Sequence, residues 1–333
     1  MASPTQCVLA GDIGGTHTRL ALYEVSNEQP ALLASQRYDS SQYHALSDII
    51  SEFLGAHQQP LQAACLGVAG PVHQQVADIT NLPWQVSAAH IAGHFDLPAV
   101  TLLNDLQATA WGLRTLRGDD FVSLQPGDEQ ARGNAAIIAA GTGLGEAGLY
   151  FDGSRHHPFA CEGGHSDFSP QTELEVALLR CLLRRHEHIS WERVVSGMGL
   201  VNIHGCLREL RQRPVPDWLQ QDMDEGDPAA AISRAAQQGR DALCVDAVQF
   251  FVHLYGVEAG NLALKMMATG GLYIAGGIAP KLIEAMQDGS FIKAFRAKGR
   301  MQALMERIPV RVVLNDDTAL QGAAVCAAHT AVL

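Results

Sequence analysis

The stretch LAGDIGGTHTRLALYEV, residues 9–25, runs apolar, turns through two glycines and a threonine, and leaves apolar again. It reads as two strands around a turn, with Asp12 at the entry. Glycine admits positive φ and lets a ligand close on the backbone. Successive amide N–H groups in such a turn form an anion-binding nest. For one turn the plainer reading is a hairpin with no ligand. A second copy shifts that balance. Sliding the chain until Gly14 falls on Gly141 sets AGDIGGTHTRLALY on IIAAGTGLGEAGLY, with Leu22 on Leu149 and Tyr23 on Tyr150. Two units of strand, glycine turn and returning strand imply two similar halves. Each turn carries a threonine hydroxyl, so Gly14, Gly15 and Thr16 and their counterparts Gly141, Thr142 and Gly143 point to phosphate.

Other phosphate motifs fail on context. There is no G-x-x-x-x-G-K-[ST] run. GTGLGEAG holds G-x-G, but the chain returns as EAGLYFDG, a strand, where a dinucleotide fingerprint needs a helix. A carboxylate beside phosphates requires an intervening cation. Mg²⁺ takes one or two carboxylates, water and phosphate oxygens, so Asp12 points to a Mg-nucleotide held through water, with no direct protein ligand assigned. Its alternative role is an Asx interaction in the turn.

Strand-like and helix-like runs alternate along the chain, which favours α/β architecture. LQAACLGVAGPV, LPAVTLLND, GGLYIAGGI and PVRVVLNDD read as strands. DLQATAWGLRTL, TELEVALLRCLLRRH, the long apolar RDALCVDAVQFFVHLYGVEAGNLALKMMA and the final TALQGAAVCAAHTAV read as helices. RQRPVPDWLQQDMDEGDP reads as the clearest surface loop.

The 333 residues suggest about two domains, and 47% hydrophobic with 17% charged residues is an ordinary globular composition. A net charge of −12 argues against nucleic acid or an anionic membrane as partner. MASPTQCVLAGDIGG lacks the basic start and apolar run of a signal peptide. NAAIIAAGTGLGEAGLY is too interrupted by glycine to span a membrane. Seven scattered cysteines without C-x-x-C read as reduced thiols of a cytoplasmic protein. His156, His157, Cys161 and His165 could ligate zinc, though their spacing matches no common zinc pattern.

Three further segments carry chemistry. LLNDLQATAWGL puts Asn104 and Asp105 at a helix start after a buried strand, where α/β sites form. The plainer reading is that Asn104 caps and Asp105 complements the helix dipole. CEGGHSDFSP offers Glu162 and His165 in a short glycine loop, and HISWERVVSG offers Glu192. Carboxylates and a histidine suit a polyhydroxyl ligand. Alone, Glu192 reads first as an exposed acid at a helix start, with Ser190 as a nearby cap.

Together, DIGGTHTRLAL, NDLQATAWGL, AAGTGLGEAGL, EGGHSDFSP, HISWERVVSGMGL and GLYIAGGIAPK resemble, in order and over nearly the whole chain, the motifs of the bacterial glucokinase family. That family belongs to the actin, sugar-kinase and Hsp70-like ATPase superfamily. The resemblance implies a two-domain ribonuclease H-like α/β fold with a cleft between domains. It places a small domain at 1–107 plus 318–333 and a large one at 108–317. It implies transfer of the γ-phosphoryl of ATP to the 6-hydroxyl of glucose with Mg²⁺, in a cytoplasmic homodimer. Carried over, Asn104, Asp105, Glu162, His165 and Glu192 would bind glucose, with Asp105 as base. Gly14, Gly15, Thr16, Gly141, Thr142, Gly143, Gly276 and Gly277 would line the nucleotide. His17 and Thr18 stand where many members have Asn-Ala, and Met198 where proline is common. The cysteine-rich zinc motif of the related repressor branch is missing. Two alternatives stay open: a nucleotide-binding ATPase that phosphorylates no small molecule, and a kinase for another hexose or an acetamido sugar.

Overall fold

The computed structural model describes residues 6–79 and 82–331; the MASPT start, read above for a signal peptide, and the last two residues of the expected small domain lie outside these. The chain divides into two compact units, residues 1–120 with 315–333, and residues 121–314.

In the first unit, β1 (Gln6–Ile13) and β2 (His17–Ser26) form the hairpin of the opening stretch, with Asp12 opposite Arg19. β3 (Gln29–Asp39) extends it antiparallel, and α1 (Leu46–Ala56) follows. β4 (Ala63–Val68) is buried at every residue, as a parallel strand covered on both faces must be. A small ribbon of β5 (Val76–Asp78) and β6 (Gln85–Ser87) leads to α2 (Ala88–Phe95), β7 (Val100–Asn104) and α3 (Asp105–Gly112). The sheet order is β3-β2-β1-β4-β7, with β1, β4 and β7 parallel. Ile49, Ile50 and Phe53 of α1 and Ile91 of α2 cover one face through Leu9, Leu20, Leu22 and Leu66.

The second unit opens with β8 (Phe121–Gln125), β9 (Ala135–Ala140), β10 (Leu144–Phe151) and β11 (His156–Cys161). A helical run follows: α4 (Glu173–Leu183), α5 (Gly197–Arg211), α6 (Asp217–Glu225), α7 (Pro228–Gln237) and α8 (Ala242–Met266). The unit ends with β12 (Gly271–Ala275), α9 (Ile283–Gln287), α10 (Ser290–Arg296), α11 (Gln302–Arg307) and β13 (Val310–Val313). Its sheet order is β11-β10-β9-β12-β13-β8, with β9, β12 and β13 parallel. α8 is long and apolar enough to cross a membrane, but Phe251, Tyr255 and Leu262 place it in the core of this unit. α12 (Thr318–Thr330) then packs Leu320, Ala323, Ala324 and Ala327 on Val8, Ala10 and Cys65, the second face of the first sheet.

The two sheets repeat one topology. β3-β2-β1-β4-β7 corresponds to β11-β10-β9-β12-β13, with β8 added at the edge. The Gly14 and Gly141 turns are equivalent turns of that repeat.

Three expectations change. The units divide at 120/121 and 314/315 rather than at 107 and 318. α3 packs Ala108 into the α12 cluster, Thr115 Oγ1 bonds Gln321 at 2.7 Å, and Asn315 Nδ2 donates to Asp120 at 3.0 Å. These contacts fasten residues 108–120 and 315–317 to the first unit. The expected loop around Pro216 contains α6, whose Leu219 is fully buried and whose Trp218 carries the Arg240 guanidinium 3.9 Å from its ring centre. Only Trp218, Leu219 and Met223 form its apolar stripe, so polarity hid the helix. Finally, the cysteines are not all reduced. Packing of α4 on α5 brings Cys181 and Cys206 to a Cα separation of 6.0 Å and they form a disulfide, while Cys7, Cys65, Cys161, Cys244 and Cys326 are free.

Candidate active site

In the first unit the parallel strands end together, Ile13 beside Val68 and Val68 beside Asn104. The Gly14–Thr16 turn and the Asn104–Asp105 pair therefore leave one sheet edge, the carboxyl edge where α/β sites form. Gly14 N–H closes the turn on His17 O at 2.9 Å, and Ser40 ties it down by N–H to Thr16 O at 3.0 Å and Oγ to Gly14 O at 3.1 Å. Asp12 belongs to β1 itself rather than to the turn. Burial pushes its carboxyl above the ordinary range, and the Arg19 charge opposite pulls it back. Arg19 in turn pairs with Asp317.

Asn104 does cap α3. Its Oδ1 accepts from Gln107 N at 2.7 Å, while Gln107 Oε1 accepts from Asn104 N at 3.4 Å. Asp105 opens the helix with an exposed side chain, and its Oδ1 accepts from Leu106 N at 2.8 Å. Both plainer readings hold, and both leave these side chains at the sheet edge beside the glycine turn.

In the second unit β9 and β12 run parallel, with Ala139 beside Ala275. The Gly141–Gly143 and Gly276–Gly277 turns thus leave one edge. Gly276 has φ +83°, and a Cβ there would lie 2.5 Å from Ala140 O, so glycine alone fits. Gly197 N–H donates to Gly141 O at 2.8 Å and joins the start of α5 to the same turn. Beyond Gly277, a cavity of about 540 Å³ is bordered by Val245, Val248, Gln249, Pro280 and Lys281.

The loop after β11 is a short 3-10 turn, Gly163–His165, with Glu162 and His165 exposed. It is stitched to residues 189–192. Phe168 N–H donates to Ile189 O at 2.9 Å, Trp191 N–H donates to Ser166 O at 3.0 Å, and Phe168 stacks edge-on to buried Trp191 at 5.1 Å. Glu192 then reaches back: its Oε2 accepts from Leu144 N at 3.0 Å and lies against Gly143. One assembly therefore holds the second glycine turn, Glu162, His165 and Glu192. Asp12, Gly14–Thr16, Asn104 and Asp105 are gathered separately in the first unit.

Two of the three histidines of the zinc reading are engaged elsewhere. His156 Nε2 bonds Gly133 O at 2.9 Å and His157 Nε2 bonds Asp152 at 2.7 Å, at the opposite end of β11 from Cys161. Sequence reasoning missed the Glu192–Leu144 contact, which no spacing announces. It also missed two buried acids, Glu146 on β10 and Glu258 on α8. Their signal was present: each is a lone carboxylate inside an apolar run.

Comparison with known proteins identifies the family. The family model described as glucokinase matches residues 9–330. Glucokinase of Nostoc sp. (strain PCC 7120) is 42% identical over 97% of this chain and 99% of its own length. Glucokinase of Saccharophagus degradans is 34% identical over 95% and 96%. Among solved structures, a glucokinase from an Antarctic psychrotroph matches with TM-score 0.86 and 29% identity over 97% of this chain and 99% of that one. A glucokinase from Balamuthia mandrillaris in complex with glucose shares the fold, with TM-score 0.75 at 22% identity over 97% and 94%. Matches that run end to end, on a chain whose glycine turns and acidic loops sit at the carboxyl edges of two like sheets, show that it belongs to the glucokinase family.

Proposed function

We propose that this hexose kinase, which phosphorylates glucose with ATP, uses Asp105 as the general base on the sugar 6-hydroxyl. The observation that carries the proposal is the placement of Asp105: exposed, at the carboxyl edge that also bears the Gly14–Thr16 turn, with its carboxylate oriented by Leu106 N–H. Phosphoryl transfer has a loose transition state, so positioning and charge neutralisation dominate and a base acts late. A helix N-terminus favours the ionised carboxylate. Asp105 then orients the hydroxyl and takes its proton as the oxygen–phosphorus bond forms.

Asn104, Glu162, His165 and Glu192 join Asp105 in binding the sugar hydroxyls, with the carboxylates accepting and the amide donating. Gly14, Gly15, Thr16, Gly141, Thr142 and Gly143 hold the phosphates through backbone N–H groups and hydroxyls. Gly276 and Gly277 receive the nucleoside, a reading supported by their turn leaving the same sheet edge as the Gly141–Gly143 turn. Asp12 fits Mg²⁺: its half-buried carboxyl is raised by desolvation, a cost that a nearby cation offsets. Asp12 would hold the ion through water, and the ion when bound neutralises phosphate charge.

The repeated sheet topology and the two chain crossings support the ribonuclease H-like reading. A cytoplasmic homodimer completes the proposal on the family resemblance. The test is a coupled assay with ATP and a panel of hexoses and acetamido sugars. Glucose is expected to have the highest kcat/KM. Preference for another sugar would replace the substrate, and ATP hydrolysis without sugar phosphorylation would favour the ATPase alternative.

A further inference from the structure

Glu146 on β10 is 2% exposed and Glu258 on α8 is 0% exposed, yet their carboxyls face each other. Glu258 has donors of its own. Asn261 Nδ2 reaches its Oε2 at 2.8 Å and Lys265 Nζ its Oε1 at 3.5 Å. Glu146 Oε1, by contrast, is buried with no donor. Two carboxyls can bond each other only around a proton, and that proton belongs on the one lacking donors. The other oxygen, Oε2, packs under Gly163 and fills the space where a Cβ would stand. Gly163 follows two residues after Cys161, the residue opposite Glu146 in the β10–β11 register. Glu146, backed by Glu258, therefore forms the floor of the loop that bears Glu162 and His165.

We propose that Glu146 and Glu258, sharing one proton, are positioning residues that set the height of the Gly163 loop and through it the affinity for glucose. This rests on the reading of that loop as a sugar-binding element. Neither acid is placed to touch substrate, because both are buried.

Burial, then the Glu258 charge, push the Glu146 carboxyl up to about 8. Below that value it is neutral and bonds Glu258. Above it a second buried charge appears, the two carboxylates repel, and the floor under Gly163 is lost. The other groups facing the pair are Cys161 from β11, Tyr255 and Lys265 from α8, and Lys298 beyond α10. Lys298 bonds Asn261 Oδ1 at 2.7 Å and, chiefly through burial, is lowered to about 8, so it titrates in the same window.

The test measures kcat and the KM for glucose and for ATP from about pH 6.5 to 9.5 in the wild type, Glu146→Gln and Glu258→Gln, with melting curves to verify folding. In the wild type the glucose KM should be level to near pH 8 and then climb towards about tenfold per pH unit, the limiting slope for one proton. The ATP KM and kcat should move by less than about twofold over that range, because the loop positions sugar alone. Glu146→Gln should have a level glucose KM, since an amide keeps the bond to Glu258 with no proton to lose. Glu258→Gln should also be level, because the introduced amide can donate to an ionised Glu146. A level wild-type profile overturns the proposal. So does an unchanged climb in Glu146→Gln, which would assign the titration to Lys298 or Cys161. If Glu146→Gln fails to fold, Glu258→Gln decides in the same way. Glu162→Gln separates the underlying reading: if it leaves the glucose KM unchanged, the sugar loop itself is misassigned.

Discussion

Glu192 accepts from Leu144 N–H, one residue past the glycine turn assigned to phosphate, while its own 3-10 turn is stitched to the loop of Glu162 and His165. One carboxylate thus serves a structural bond and a proposed sugar contact, and substitutions can separate the two. Glu192→Gln keeps an acceptor oxygen for Leu144 but loses the charge. Charge-assisted hydrogen bonds contribute about 1.5–3 kcal/mol. The glucose Kd is therefore expected to weaken by roughly 10–100-fold and the ATP Kd by less than about threefold, as read by calorimetry. Glu192→Ala also strips the acceptor from Leu144 N–H and should weaken both ligands. Equal losses in Glu192→Gln would reduce Glu192 to a structural role. The sequence offered Glu192 only as one acid among several. Its tie to Leu144 spans 48 residues and comes from tertiary packing that local pattern does not encode.

Among the elements, the α4–α5 pair departs furthest from expectation. Cys181 and Cys206 are separated by 25 residues and joined across two packed helices. Closing a loop of that size stabilises a fold by about 3.5 kcal/mol in the chain-entropy account. Both sulfurs are buried, which shields them from soluble reductant. Alkylation of the unreduced, denatured protein should leave Cys181 and Cys206 unlabelled, and a denaturant titration with strong reductant should lose about that much stability. Full labelling before reduction would remove the disulfide from the account. Other elements were legible for local reasons. The β1–β2 and β9–β10 hairpins carry strand, glycine turn and returning strand within one window. Asn104 and Gln107 spell a capping box four residues long. α6 was hidden because its nine residues hold a single fully buried apolar side chain. The Cys181–Cys206 pairing was hidden because spacing says nothing about which helices pack.

Over the whole molecule, two sheets of one topology each present a carboxyl edge, and the site residues divide between them. Asp12, Gly14–Thr16, Asn104 and Asp105 belong to the first unit; Gly141–Gly143, Glu162, His165, Glu192 and Gly276–Gly277 belong to the second. This division follows from the repeat that Gly14 and Gly141 announce in the sequence. The boundaries at 120/121 and 314/315 did not follow, because the docking of α3 against α12 is a long-range contact. Neither unit carries the whole proposed set, so chemistry assigned to the first should be separable from sugar affinity assigned mainly to the second. Asp105→Asn is the most direct probe of that assignment, since it keeps the shape and the acceptor for Leu106 N–H while removing the base. Steady-state phosphorylation of glucose by ATP, with the glucose Kd taken in parallel, should show kcat lowered by roughly 10²–10⁴ and the Kd changed by less than about threefold. A folded Asp105→Asn protein turning over at near the wild-type rate would contradict the assignment of Asp105 as the base.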